Sequence, residues 1–111
     1  MEERLPTALW VDAHIRQCVS EGTAIYVAKK GEYAGGLVLL KINMMNGDFK
    51  VLVQQRNLEG VLGWMDIHQG KPVNEDEADS YIERSMQRDD DLWVIEVEDK
   101  EGKNPFEGKE F

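Results

Sequence analysis

The side chains that could carry chemistry here are few. They are Cys18 with His14 one helical turn before it, Asp66 with His68, the run Asp89-Asp90-Asp91, and the glycine-rich stretch from Gly31 to Gly36. A thiol with an imidazole four residues away on one helix face is the start of a nucleophile–base pair. Cys18, however, falls on the apolar stripe of its segment, where cysteine behaves as a small apolar residue and no electropositive, open setting is foreseen for a thiolate. Asp66 and His68 would share a strand face, so the carboxylate could orient the imidazole, or the two could join Asp89–Asp91 at a divalent cation. No serine or cysteine is placed beside them, and the acidic run lacks the alternating ligands and glycine of a calcium loop. Acidic runs at helix ends are usually solvated faces. There is no Cys-x-x-Cys and no His-x-x-x-His. Gly31-Glu32-Tyr33-Ala34-Gly35-Gly36 leads into a strand, whereas a phosphate cradle leads into a helix. Trp10, Trp64 and Trp93 could stack bases, but each sits in an apolar run that favours core packing. No catalytic residue, metal or cofactor is therefore expected.

Charge narrows the partners. The chain has 111 residues and a net charge of −9. Residues 1–56 carry 7 Lys/Arg against 6 Asp/Glu, while residues 57–111 carry 6 against 16. An acidic second half repels phosphate backbones, so a nucleic-acid partner is not expected. No unbroken apolar run, Leu37–Leu40 included, approaches the length of a membrane span, so no membrane partner is expected either. One cysteine forbids an internal disulfide and fits a reducing compartment. Met1-Glu2-Glu3-Arg4 does not open a signal peptide, which makes the expected location cytoplasmic.

The elements that must position these residues follow from periodicity. Leu5 to Gly22 reads as a helix: Ala8, Val11, Ile15, Cys18 and Val19 form an apolar stripe, Asp12 and Arg16 pair at i,i+4, and Gly22 supplies the stop. Thr23–Lys30 reads as a strand. Asn46-Gly47 is the preferred two-residue type I′ hairpin turn, which would pair Ile42 with Val51, Leu40 with Val53 and Lys41 with Leu52. Val61–His68 is a further strand. Asn74 with Glu77 three residues on forms a capping box that opens a second helix, whose apolar face is Ala78, Tyr81, Ile82 and Met86. In the last strand Trp93, Ile95 and Val97 lie on one face, with Leu92 and Val94 on the other. The expected fold is α+β: a mostly antiparallel sheet of about five strands with two helices packed on one face, in the order α-β-β-β-β-α-β. Residues 1–98 form one domain, and 99–111 are expected to be a flexible C-terminal tail.

One functional candidate survives: a bipolar surface that would orient a protein partner or a second copy. Its residues are Lys30, Glu32, Lys41, Asp91, Trp93, Glu96 and Glu98. Lys29, Lys30, Lys41 and Lys50 would give it a basic side on the outer face of the hairpin, although Lys41 could equally neutralise carboxylates on a neighbouring strand. The expected function is a non-enzymatic interaction module working through this surface or an exposed strand edge. The alternative is a small-molecule binder or minor enzyme whose pocket lies between sheet and helices, lined by Trp64, Asp66, His68 and a carboxylate of the last strand.

Two stretches also carry a resemblance. One is Leu9-Trp10-Val11 with Arg16, then Lys30-Gly31-Glu32, Ala34-Gly35 and Lys41-Ile42-Asn43. The other is Tyr81-Ile82, Arg84, Asp89 and the run Asp91-Leu92-Trp93-Val94-Ile95-Glu96-Val97-Glu98-Asp99. Together they resemble a family of short, uncharacterised bacterial proteins classed as a domain of unknown function. That family usually has proline where this chain has Asp90, and favours arginine where it has Lys30. The resemblance implies a bacterial cytosolic protein and brings no activity or catalytic residue.

Overall fold

In the computed structural model, which describes residues 5–111, strand β2 (Val38–Asn43) lies inside a six-stranded sheet. Val38, Leu39, Leu40 and Ile42 are all fully buried. An unbroken buried run needs cover on both faces of the sheet, and two helices supply it. Helix α1 (Thr7–Ser20) covers one face, where Val11 packs with Leu40, Ile42, Leu52, Trp64, Ile95 and Val97. Helix α2 (Glu75–Arg88) covers the other, where Ala78 and Ile82 pack with Leu39, Val51 and Val94.

The strand order is β1 (Ile25–Lys29), β5 (Trp93–Glu98), β2, β3 (Phe49–Arg56), β4 (Leu62–Asp66) and β6 (Lys109–Glu110). Two hairpins make β2, β3 and β4 antiparallel, and β1 runs antiparallel to β5. β5 is parallel to β2, and β6 is parallel to β4. The class is α+β as expected, but the sheet is mixed and has six strands, and the helices take opposite faces. The physical reason is α2: it acts as the crossover that a parallel pair requires, carrying the chain from β4 across one face so that β5 slots between β1 and β2.

The hairpin register is also corrected, by one residue. Leu40 pairs with Leu52, Lys41 with Val51 and Ile42 with Lys50. The loop is Met45-Asn46-Gly47, closed by the Met44 amide donating to the Asp48 carbonyl at 2.9 Å. Met45 and Gly47 both take left-handed backbone, at φ 67° and 94°. The Asn43 and Asn46 side-chain oxygens accept from the Met45 and Asp48 amides and hold this longer turn. A strand buried on both faces has no polar side, so the apolar pattern could not choose between the two registers.

Helix termini follow their local chemistry. Gly22, at φ 84°, lets the Thr23 amide reach the Cys18 carbonyl at 2.9 Å and the Gly22 amide reach Val19 at 3.0 Å, a Schellman stop. Asn74 caps α2 by accepting from the Glu77 amide at 2.9 Å. Val19, placed on the α1 stripe by spacing, is instead exposed. The run 99–111, expected as a tail beyond residue 98, returns along the α1 face. There Phe106 is buried and the Trp64 indole N–H donates to the Glu107 carbonyl at 3.0 Å. Among the described residues no helix is long and apolar enough to cross a membrane. Met1–Arg4, where no signal peptide was expected, lie outside the described residues.

Candidate functional site

Three stretches far apart in sequence meet at one end of β1. Helix α1 starts at Pro6 with no side-chain cap. Its first free amides are satisfied by the chain after β1: Thr7 donates to the Ala34 carbonyl at 3.2 Å and Ala8 to Tyr33 at 2.9 Å. That same segment is bolted to the start of β5. The Glu32 amide donates to the Asp91 carbonyl at 2.9 Å, the Trp93 indole N–H donates to the Glu32 carbonyl at 2.8 Å, and the Lys29 ammonium donates to the carbonyls of Asp90 and Leu92. Gly31 and Gly36 both pass so close to the Asp91 carbonyl and the Trp93 ring that a Cβ on either would collide. The Glu32 carboxylate turns back onto the Ala34 and Gly35 amides. Of the expected surface residues, the structure thus brings Lys30, Glu32, Asp91 and Trp93 together.

Between this loop and α1 lies a cleft of about 360 Å³. Ala8, Val11 and Ile15 of α1, Val27 of β1 and Trp93 of β5 give it an apolar wall, with Asp12, Lys30 and Tyr33 at its edge. Asp12 is already paired with Arg16 at 3.0 Å. Lys30 is exposed, and among the described residues its ammonium has no acidic partner. The cleft was not legible from sequence, because its walls belong to separate elements and its apolar residues fit ordinary core periodicity.

The other expected residues gather on the opposite face. Lys41 is buried there, held by Glu75 and Asp79 of α2 and by Glu96 beside it on β5. Glu98 shares that face and stays exposed. The four lysines therefore do not make one basic patch: Lys29 and Lys50 are bonded to backbone carbonyls, Lys41 is enclosed, and Lys30 remains in solvent. Glu75 and Asp79 went unread as partners, because at the helix start they serve the dipole equally well.

Cys18, His14 and Trp64 are committed to packing. Burial pushes the Cys18 thiol up, away from reactivity. His14 bonds the Trp10 carbonyl through Nδ1 at 2.8 Å and stacks on Phe106 at 4.9 Å. Trp64 is buried in the core under α1, whereas the His68 ring meets Tyr81 of α2, so the structure does not bring these two expected pocket residues together. Asp66 accepts from the His68 amide, and the His68 ring lies edge-on to Tyr81. Among the described residues no three His, Cys, Asp or Glu side chains converge as a metal site.

Known proteins place this geometry. The family described as "protein of unknown function (DUF1491)" matches residues 5–107. The chain belongs to that family. A crystal structure of a DUF1491 protein from Caulobacter crescentus CB15 superimposes with a TM-score of 0.86 at 30% identity, covering 97% of this chain and 100% of that one. An NMR structure of a DUF1491 protein from the same organism gives 0.83 at 30% identity, covering 99% of both chains. A solution structure of a protein from A. tumefaciens, at 24% identity, 86% coverage of each chain and a TM-score of 0.72, shares the fold. No curated protein matches the chain. Parts of the two stretches that carried the family resemblance, Lys30-Gly31-Glu32 and Asp91-Leu92-Trp93, are in contact beside the cleft.

Proposed function

We propose that the chain is a non-enzymatic, cytosolic interaction module that accepts an extended strand, from a protein partner or a second copy, along the free edge of β1. The observation that carries this reading is the position of β1. Among the described residues it is an outer strand of the sheet, paired only with β5, and its Tyr26 is half exposed. The Glu98 amide donates to the Ala24 carbonyl, so alternation along the ladder turns the main-chain groups of Ile25 and Val27 outward. A row of unpaired N–H and C=O groups is a template for one more strand. The opposite edge is the two-residue β6, too short to template much. The commitment of Cys18 and His14 to packing favours binding over chemistry.

The test compares the full chain with Ile25→Pro, which removes an outward N–H and leaves the ladder to β5 intact. Sedimentation over a wide concentration range, together with capture from native lysate, should show association that the variant loses. A strictly monomeric wild type with empty captures, or a proline variant that associates equally well, would sink the reading.

A further inference from the structure

We propose that the cleft between α1 and the Lys30–Tyr33 loop is a binding site for a small apolar carboxylate, an acyl or aryl acid. This goes beyond edge pairing: the cleft lies on the α1 side of β1 and uses side chains, whereas the edge offers outward main chain.

Shape comes first. A cleft of about 360 Å³ falls at the small end of the ~300–1,000 Å³ range of small-molecule sites. The walls are held by backbone rather than by mobile side chains. α1 hangs from the Tyr33 and Ala34 carbonyls, and the loop is locked to Asp91 and Trp93 through Glu32, Gly31 and Gly36. A preformed apolar recess with a few polar groups at its edge is how small-molecule sites are built.

Charge then selects the ligand. Two charged side chains line the cleft, Asp12 and Lys30, and Asp12 is paired with Arg16 at 3.0 Å. Lys30 has no acidic partner among the described residues, so the apolar wall of the cleft meets one unpaired cation. The complement is an apolar molecule with one negative charge. A single ammonium is a point charge, with no guanidinium fork, and no glycine loop leads into a helix here, so a phosphate would lack its usual cradle.

The experiment uses the full chain with octanoate, and with octan-1-ol and octylamine as matched neutral and cationic probes, followed by NMR. Octanoate should move the Ala8, Ile15 and Val27 methyl resonances and the Trp93 indole N–H. Octan-1-ol should bind about fivefold more weakly, and octylamine more weakly still. Lys30→Met should weaken octanoate about fivefold and leave octan-1-ol unchanged. Ala8→Phe, which fills the cleft, should abolish both; if it fails to fold, the wild-type shift map still decides. Absence of octanoate binding, shifts centred away from the cleft, or equal affinity for octanoate and octan-1-ol would each overturn the proposal.

Discussion

The Lys41 ammonium, on the central strand, lies 2.8 Å from Oδ1 of Asp79 in the second turn of α2. It is also 2.8 Å from Glu75 Oε2 and 3.6 Å from Glu96 Oε1, and it sits 5.1 Å from the centre of the Phe49 ring. One cation thus ties the start of α2 to two neighbouring strands. Burial alone would push its pKa down. The hydrogen bonds to Asp79 and Glu75 and the charge of Glu96 outweigh that and hold it well above its ordinary value of 10.5.

The sign of the pH dependence follows. A lysine whose pKa is raised by folding contributes its full stabilisation below about pH 10.5, and loses it only as pH climbs through the higher folded value. Wild-type stability should therefore feel this group only in strong alkali. Lys41→Met should cost about 2 kcal/mol near pH 7. That is less than a fully enclosed ion would cost, because Glu75 and Asp79 are 54% and 52% exposed. Urea titrations near pH 7 check this, and a variant as stable as wild type would contradict it.

How much of this was readable follows the physics of each segment. Asn74 and Gly22 were legible because capping and left-handed stops depend on one residue and its own backbone. The face assignment of Trp93, Ile95 and Val97 against Leu92 and Val94 was legible for the same local reason. The β2–β3 register was not. Asn46-Gly47 favours a two-residue turn, but Asn43 and Asn46 side chains stabilise a longer one, and nothing in β2 says which face is buried when both are. The enclosure of Lys41 by α2 depends on a crossover that places a helix over the strand, a long-range fact with no local trace. The cleft shares that origin.

Gly36 and Gly35 are adjacent, yet alanine should act very differently at the two. A Cβ on Gly36 would run into the Asp91 carbonyl and lie 3.0 Å from the Trp93 ring, whereas one on Gly35 meets nothing within 4 Å. Gly36→Ala must push the loop off β5, straining the bonds from Glu32 to Asp91 and from Trp93 to Glu32. It should cost about 1–3 kcal/mol, while Gly35→Ala should stay within about 0.5 kcal/mol of wild type. Thermal unfolding of the pair measures the difference, and equal effects would mean that the close approach is not what selects glycine at position 36.

Phe106 decides where the folded unit ends. It is 4% exposed and contacts Trp10 at 5.4 Å, His14 at 4.9 Å and Trp64 at 6.0 Å between ring centroids. Just beyond it, the Glu107 carbonyl accepts from the Trp64 indole, and the Phe111 amide donates to the Trp64 carbonyl at 2.7 Å. We expect Phe106→Ala to cost about 3–4 kcal/mol through the lost burial and the cavity left among these rings. Truncation after Glu98 should cost at least as much and should shift tryptophan emission to the red as Trp64, now 1% exposed, meets water. A truncated chain with wild-type stability and unshifted emission would put the end of the domain at residue 98, with the remaining thirteen residues as an appendage.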